Sequence, residues 1–177
     1  MPMAPDFELA SARLSLRRFS AGDAEPLFSI RGDRVAMRFW DWPGDRSIEE
    51  THEIALRIVD EMQAGKALYM SARLADGTFV GLFDLSEIDT QHADIGFMIA
   101  RRFWGNGYAT EGANTLIAHA RRLPVKALKA RIHAGNTASR RLLHTLGFEA
   151  VGCPTPVEVR PGHLVICEHF RLDFAAS

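Results

Sequence analysis

The sequence predicts a single domain of mixed α/β class, in which strands and helices alternate along one chain. Its 177 residues suit one hydrophobic core and would be cramped for two. Its 47% apolar and 24% charged content is that of an ordinary globular protein. Runs with the period of a strand are interleaved with runs with the period of a helix. No repeat, low-complexity segment or linker divides the chain, so we expect one domain over residues 1–177.

Composition argues against several other classes of protein. A net charge of −1 gives no reason to expect nucleic-acid binding. No apolar run approaches the roughly 18 residues of a membrane span, and no secretory signal is evident, so we expect a cytoplasmic protein with no membrane partner. Cys153 and Cys167 do not make a disulfide framework, and the seven histidines show no metal-ligand spacing, so we expect no metal.

The first predicted elements are a half-buried strand and a short helix. Residues 13–19 alternate polar and apolar side chains, which is typical of a strand with one face on the core. Residues 20–23 then lead into a helix, and an irregular aromatic segment follows at 37–43. The apolar side of the helix carries Leu27, Phe28 and Ile30.

A second helix is predicted from a capping box. Ser47 stands at the N-cap and Glu50 follows three residues later, so that each can satisfy a backbone amide of the other. Gly65 is placed to end the helix. The residues at core spacing are Ala55, Ile58, Val59 and Met62.

A hairpin and a central strand come next. Residues 67–74 and 78–85 are predicted to pair, because Asp-Gly at 76–77 between two apolar runs is a strong hairpin signal. Residues 93–99 form the central strand. The chain then passes through two glycines into a helix, whose apolar face consists of Ala109, Gly112, Ala113, Leu116, Ile117 and Ala120.

The remaining elements complete the sheet. Pro124 breaks the third helix, and 127–133 has the pattern of a further strand. Asn136 can cap a short helix that ends before Gly147. Strands at 148–153 and 164–172 close the chain.

A strand followed by a glycine loop and then a helix is an arrangement that suits phosphate binding. The first helical amides have no partner within the helix, and the helix dipole places partial positive charge there. A dinucleotide loop would need glycine where Thr110 stands, and a nucleoside-triphosphate loop would need Gly-Lys before Ser or Thr, which is absent. The pattern that remains is Arg102-x-x-Gly105-x-Gly107-x-Ala109, which resembles the pyrophosphate loop of the GNAT superfamily of N-acetyltransferases. Taken alone, it also fits an ordinary strand–turn–helix.

A second segment strengthens the resemblance. Residues 136–148 form a capped helix, with Ala138, Leu142 and Leu146 expected to pack inward whatever the function. The same residues resemble the second GNAT signature, at the expected distance after the first. Over about residues 10–174, the chain is identified as a member of this family and is most similar to the RimJ/RimL-type group, which acetylates protein N-termini.

The resemblance implies a fold and a cofactor site. The fold is a mixed, mostly antiparallel twisted sheet flanked by helices and splayed between the fourth and fifth predicted strands, with the pantetheine arm of acetyl-CoA in the gap. Backbone groups of 98–99 would bind the arm, and amides from about 103 to 108 would bind the pyrophosphate. The side chains of the loop aromatics also fit core or shell positions. The residues expected to bind acetyl-CoA are Met98, Ile99, Arg102, Phe103, Trp104, Gly105, Asn106, Gly107, Tyr108, Ala109, Asn136 and Ser139.

The implied chemistry is direct attack of an amine on the thioester. Deprotonating an α-amine at pH 7 costs about 1.4 kcal/mol, against about 4.6 kcal/mol for lysine. A weak general base is therefore sufficient for an N-terminal amine. Asp94 is the leading candidate for that base, although a solvated residue at a strand start would look the same. The reserves, which the sequence does not rank, are Asp84, Glu87, His92 and His133.

The leaving thiolate needs a hydrogen bond. Many family members carry a tyrosine seven residues after the asparagine, whereas this chain has Leu143. Ser139 is then the candidate, as it is in RimL-like relatives; the alternative is a first-turn serine that bonds only backbone.

Arg38 and Trp40 are the candidate acceptor-binding residues. With Trp42, they lie in the segment that forms one wall of the acceptor site in relatives, although buried loop anchors would also fit. The predicted acceptor is a protein or peptide N-terminus. The alternatives are a small amine (an amino acid, polyamine or aminoglycoside) and a non-catalytic acyl-CoA-binding module. No acidic cluster suggests a polyamine pocket, and the protein is expected to be a monomer or homodimer.

Overall fold

The computed structural model describes residues 7–174, and the termini at 1–6 and 175–177 lie outside the described residues. The predicted mixed α/β class is confirmed: four helices flank a nine-stranded sheet. The strands are β1 (Glu8–Ala10), β2 (Ser15–Arg18), β3 (Leu68–Arg73), β4 (Phe79–Ser86), β5 (His92–Ile99), β6 (Ala127–His133), β7 (Glu149–Ala150), β8 (Thr155–Arg160) and β9 (His163–Asp173). The helices are α1 (Ala24–Arg31), α2 (Ile48–Gln63), α3 (Tyr108–Ala120) and α4 (Thr137–Thr145).

The sheet divides where two neighbouring strands diverge. Strands run in the order β1-β2-β3-β4-β5-β6-β9-β7, and β8 pairs with β9. Every pairing is antiparallel except that of β5 with β6, which extends only from His92 opposite Ala127 to Asp94 opposite Lys129. Beyond Asp94 the two strands separate, so the edge of β5 that faces β6 has free backbone groups. The predicted splay is confirmed; β1 raises the strand count, so it lies between the fifth and sixth strands.

The two faces of the sheet carry separate cores. The alternation of β4 places Phe83 on the face covered by α3 and α4, and Leu82 on the face covered by α1 and α2. Gly112 lets α3 approach the sheet, because a Cβ there would lie 2.2 Å from the ring of Phe83. The spacing within β5 likewise sends Ile95 to the α3 side, while Met98 packs against the other core.

Several predicted local features are confirmed. The chain turns at Gly77, with φ of 86°, between β3 and β4. Gly65 follows the end of α2 with φ of 70°, as predicted for a glycine after a helix. Asn136 caps α4 by accepting a hydrogen bond from the amide of Ser139 at 3.2 Å.

The predicted capping box of α2 is wrong. Ser47 is the N-cap residue but makes no capping hydrogen bond. The carboxylate of Glu50 instead accepts from the backbone amide and the guanidinium of Arg46, at 2.6–2.8 Å. An arginine one position before the cap competes for the same carboxylate, and its charge makes it the stronger donor.

The inward face of α4 also differs from the prediction. Leu143 is fully buried and Leu146 is buried, but Ala138 is exposed and Leu142 is only partly buried. The helix is rotated so that Ala138 and Leu142 face a cleft. Leu143 therefore belongs to the core, where a hydrogen-bonding side chain would have no contact with that cleft.

The C-terminal strands were predicted incompletely. The strand expected at 148–153 is reduced to β7, and the hairpin of β8 with β9 was missed. Pro154 and Pro156 disfavoured a strand there, yet β8 is an edge strand, where proline is tolerated. Short β1 was missed as well.

Three further observations concern residues 7–174. No helix in that range is long and apolar enough to cross a bilayer. Nor do its His, Cys, Asp and Glu side chains form a group of three or more that could hold a metal ion. Both cysteines are free: Cys153 is exposed and Cys167 is buried.

Candidate active site

A glycine loop joins β5 to α3. Gly105 and Gly107 have φ angles of 76° and 80°, in the left-handed region that side chains disfavour. Gly107 is the N-cap of α3, so the first amides of that helix have no partner inside it. Within residues 7–174, the amides of 105–109 meet no backbone acceptor, and the helix dipole adds positive charge there. The loop therefore suits an anion.

The predicted set of amide donors begins too early. The amides of Phe103 and Trp104 donate to the carbonyls of Ala100 and Arg101, at 2.8 and 3.1 Å, in a 3-10 turn. Because these two amides are already bonded, the donors available to an anion begin at Gly105.

Arg102 and Trp104 have other roles than binding through the backbone amide. The guanidinium of Arg102 stacks over the ring of Phe103 at 4.9 Å, and the side chain is exposed outside the cleft. The indole Nε1 of Trp104 donates to the carbonyl of Ile99 at 2.8 Å. Trp104 thus fixes the end of β5, although its side chain is exposed.

Arg13 holds the loop and was not predicted. Its Nε donates to Glu111 at 2.7 Å, its terminal nitrogen donates to the carbonyl of Asn106 at 3.1 Å, and its guanidinium stacks on Tyr108 at 4.5 Å. Burial favours the protonated form of Glu111, but hydrogen bonds from Ser11 and Arg13 hold the pKa of this carboxyl below its usual value. Arg13 therefore offsets a negative charge in the first turn of α3, beside the anion loop.

A cleft of about 350 Å³ brings both predicted segments together. One wall is the end of β5 with the glycine loop, and the other is the first half of α4. Arg38 and Trp40 line the same cleft at the segment that follows α1. The residues of the two predicted segments that line the cleft are Phe97, Met98, Ile99, Phe103, Trp104, Gly105, Gly107, Tyr108, Ala109, Thr110, Asn136, Ala138, Ser139 and Leu142.

Ser139 has a hydroxyl group that is free to act. Its backbone amide is bonded to the side chain of Asn136, while its Oγ has no hydrogen-bond partner within residues 7–174. The side chain is partly buried and lines the cleft. It can donate a hydrogen bond to a group placed there.

Comparison with known proteins identifies the family. The model of the acetyltransferase (GNAT) domain matches residues 13–149, a span that includes the glycine loop and most of the second segment. The chain is a GNAT acetyltransferase.

Individual relatives agree with this assignment. The uncharacterized N-acetyltransferase p20 of Bacillus licheniformis is 26% identical over 168 residues, covering 93% of this chain and 94% of that protein. Together with the family model, this makes the GNAT chain an acetyl-CoA-dependent N-acetyltransferase.

Solved structures show the same fold. RimL, a ribosomal L7/L12 alpha-N-protein acetyltransferase in complex with coenzyme A, superimposes with a TM-score of 0.84, at 21% identity over 97% of this chain and 100% of that one. Spermidine N-acetyltransferase from Vibrio cholerae, in complex with CoA and spermine, gives 0.79 at 19% identity, over 92% and 96% of the two chains.

A second cavity of this GNAT acetyltransferase opens beside the cleft, on the α1/α2 face of the sheet. It measures about 440 Å³ and shares Met98 and Trp40 with the cleft. Four carboxylates line it, those of Asp41, Glu61, Asp84 and Asp94, together with Arg31, Arg57 and Arg131. Asp41 pairs with Arg131 and Arg31 pairs with Asp45, which leaves Arg57 as the basic residue beside the other three carboxylates. We call it the acidic cavity. Carboxylates that lie far apart in the chain converge here, but three arginines line the same cavity.

Asp84 has the most perturbed carboxyl group of the acidic cavity. Its side chain occupies the space above Gly96, where a Cβ would lie 2.3 Å from Oδ2. Burial, reinforced by the charges of Asp94 and Glu61 and opposed by a hydrogen bond with Ser86, raises the pKa of Asp84 to about 7. This carboxyl group can therefore exchange a proton near neutral pH.

Asp94, the predicted base, lies in the same cavity but farther along the strand. Burial raises its pKa, while His92 and Lys129 oppose the rise. It is four residues from Met98, about 13 Å along β5, whereas Asp84 lies opposite Gly96, only two residues from Met98, or about 7 Å. Asp84 is thus the carboxyl group nearer to the cleft.

The segment at 36–45 separates the cavities and is tied down at both sides. The guanidinium of Arg31 binds both carboxylate oxygens of Asp45 at 2.7 and 2.8 Å in a buried pair, and Thr51 adds a bond of 2.6 Å. Asp41 pairs with Arg131 at 2.5 Å and with His133 at 2.9 Å.

Trp40 lies where the cavities meet. It lines the cleft, the acidic cavity and a third cavity of about 460 Å³, which also contains Arg38 and Trp42. Both predicted acceptor residues therefore lie at the junction between the cleft and neighbouring space.

Proposed function

We propose that this GNAT acetyltransferase transfers the acetyl group of acetyl-CoA to the N-terminal α-amine of a protein or peptide, by direct attack in a ternary complex. One observation carries the proposal: a carboxyl group with a pKa near 7, Asp84, lies in a cavity that opens onto the cleft. Its pKa lies close to that of an α-amine, about 8, and far from that of lysine, about 10.4. Such a base is matched to an N-terminal amine.

Acetyl-CoA is proposed to lie along the cleft. Its pantetheine arm would pair with the free edge of β5 near Met98 and Ile99, where β6 has diverged. The pyrophosphate would accept hydrogen bonds from the amides of 105–109, at the start of α3. The side-chain amide of Asn136, on the opposite wall, would contact the arm near the thioester. Phe103, Trp104 and Arg102 support this loop through side-chain contacts.

The proposed base is Asp84, assisted by Asp94. The amine, once its ammonium proton has passed to Asp84 directly or through one water, attacks the carbonyl carbon of the thioester. Asp94 contributes by raising the pKa of Asp84. This assignment moves the direct role from the predicted residue to its neighbour, because Asp84 lies nearer to Met98.

Ser139 is proposed to stabilise the leaving group. As the bond from nitrogen to the acetyl carbon forms, the carbon–sulfur bond breaks and negative charge develops on sulfur. The second proton that the nitrogen loses then neutralises the thiolate, which leaves the amide and the CoA thiol. The free Oγ of Ser139 would donate a hydrogen bond to that sulfur. Buried Leu143 has no polar group to offer.

A small cationic amine is the second candidate acceptor. Glu61, Asp84 and Asp94 of the acidic cavity favour a cation, with Arg57 opposing them, and one structural neighbour is a spermidine N-acetyltransferase. The third cavity opposes a long polyamine, because its ionisable side chains are all basic.

Release of the CoA thiol, measured against a panel of N-terminal peptides, amino acids and polyamines, tests the proposal. We expect the highest kcat/KM for peptides with a free α-amine and no release with their N-acetylated forms. A preference for spermidine would reject the peptide acceptor. Tight calorimetric binding of acetyl-CoA with no release for any amine would indicate an acyl-CoA-binding module.

A further inference from the structure

The ionisable side chains that line the third cavity are all basic. Its ionisable residues are Arg34, Arg38, His133, Arg160 and His163, and no carboxylate of residues 7–174 lines it. We call it the basic cavity. Its basic residues come from the segment after α1, the end of β6 and the β8–β9 hairpin, so three separate parts of the chain converge.

The charges of the basic cavity are largely uncompensated. His133 is paired with Asp41. By contrast, no ion pair within residues 7–174 includes Arg34, Arg38 or Arg160. The Nε of Arg160 is buried and has no hydrogen-bond partner in that range. A buried guanidinium donor without an acceptor is costly unless a ligand supplies one.

The hairpin of β8 and β9 places Arg160 and His163 opposite each other. They form the last pair before the turn, after a register shift in β8, and Gly162 turns the chain with φ of 72°. The nearby carboxylate of Glu158 accepts from the amide of Gly162 at 2.8 Å, so it is engaged at the turn. The hairpin tip thus presents its positive side chains to the cavity.

The phosphates of the coenzyme have a different site. None of the loop residues at 102–109 lines the basic cavity. The two spaces share only Arg38, Phe39 and Trp40, at the segment that follows α1. The anion that the basic cavity attracts is therefore on the acceptor side of the cleft.

We propose that the basic cavity binds the acidic side chains that follow the N-terminal residue of a peptide acceptor, so that the enzyme selects acidic N-terminal segments. This inference rests on the proposed function. The basic cavity, at about 460 Å³, is as large as the acidic cavity, at about 440 Å³. A free amino acid could place only its own carboxylate there, whereas an acidic peptide brings side chains that reach the second space, and a polyamine would be repelled from it.

Three peptides that share the same N-terminal residue test this selection. They carry Asp-Glu, Asn-Gln or Lys-Lys at positions two and three, so that the first two differ in charge and hardly in shape. We expect kcat/KM for the acidic peptide to exceed that for the neutral one by about tenfold, with the basic peptide lowest. The ratio should shrink as salt is raised.

Two variants test whether the basic cavity is responsible for the preference for acidic peptides. Arg160→Gln and Arg34→Gln change residues that line the basic cavity but not the cleft. Each should bring the acidic-to-neutral ratio from about tenfold to about two or less, because a guanidinium–carboxylate contact is lost. Arg17→Gln, which removes an exposed arginine from β2, is the matched control and should leave the ratio unchanged. Calorimetric binding of acetyl-CoA establishes that each variant is folded.

The outcomes separate the two proposals. Equal kcat/KM for the three peptides overturns the selection while leaving α-amine acetylation intact. A ratio that Arg160→Gln and Arg34→Gln leave unchanged overturns the assignment to this cavity. If the free N-terminal amino acid reacts as well as the acidic peptide, a small carboxylate rather than a peptide is bound. Acetyl-CoA binding without transfer to any of these amines overturns both proposals.

Discussion

The coenzyme cleft and the acceptor cavities are built in different ways. The cleft draws mainly on two continuous stretches, 97–110 and 136–142. The acidic and basic cavities combine the segment at 37–44 with residues from α2, β4, β5, β6 and the β8–β9 hairpin. The anion loop of the cleft relies on glycines and backbone amides, whereas the charged groups of the two cavities are side chains from separate elements. The difference teaches that a backbone-built site can be predicted from a local pattern, and a site of converging side chains cannot.

The largest expected effect of a single change falls on the acceptor side. Asp84→Asn removes the proposed base and should lower kcat about 10²- to 10³-fold. Acetyl-CoA affinity should stay within about twofold, because Asp84 does not line the cleft. Asp94→Asn is the matched control and should cost about tenfold or less. Steady-state kinetics and calorimetry make the comparison, and an unchanged kcat in Asp84→Asn would remove Asp84 from the mechanism.

The same variant tests the pH dependence. Burial raises the pKa of Asp84 to about 7, and a base acts only when it is ionised. The kcat of the wild-type enzyme should therefore rise with pH through about 7 and level off above it. In Asp84→Asn this limb should be missing.

On the coenzyme side, Gly107→Val should weaken acetyl-CoA binding about thirtyfold. A β-branched residue at φ of 80° costs about 2 kcal/mol, and the distortion falls on the N-cap of α3. Gly65→Val imposes similar strain at φ of 70° outside the cleft. Calorimetry should show coenzyme binding unchanged in this control. Equal loss in both variants would mean that the effect is one of overall stability.

Ser139→Ala should lower kcat about tenfold and leave the KM for acetyl-CoA nearly unchanged. The reason is that its hydroxyl group is proposed to act on sulfur only as the carbon–sulfur bond breaks. Thr137→Ala, in the same first turn of α4 but outside the cleft, is the control. An unaltered turnover number in Ser139→Ala would leave Ser139 with a structural role alone.

Arg13→Met should have the smallest effect, an increase of about fivefold in the KM for acetyl-CoA with kcat retained. The variant breaks a partly exposed ion pair and leaves the charge of Glu111 uncompensated beside the loop. Arg17→Met removes an ion pair of β2 away from the loop and should change neither constant. A fall in kcat without a change in KM would contradict the role of Arg13 in positioning the loop.

Sequence reasoning succeeded where a local pattern has one physical solution. Gly105 and Gly107 ahead of a helical period require a turn with positive φ, and Asn136 before the last helix is a cap. The order of the central elements was predicted from residue patterns, and the divergence of β5 from β6 followed from the family resemblance. The pattern at Ser47 failed, because Arg46 competes for Glu50.

Much of the candidate site lay beyond sequence reasoning. Asp84 could be named but not ranked, since its pKa depends on the packing of β4 against Gly96. Arg13 contacts the loop from about a hundred residues away, as its bond to Glu111 shows. Arg160 belongs to a hairpin that was not predicted, because Pro154 and Pro156 disfavour a strand. The rotation of α4 turns Ala138 toward the cleft. This rotation depends on whether Leu142 or Leu143 packs into the core, which the local pattern does not decide.

Trp40 borders all three spaces, and this gives the molecule a built-in reporter. A ligand in any one space changes the surroundings of this indole, and in a variant without Trp42 and Trp104, which border these spaces as well, its fluorescence would report the donor and the acceptor alike. If a ligand in one space shifts the indole, the affinity for a ligand in a neighbouring space changes by a reciprocal factor. Such coupling would need no moving domain.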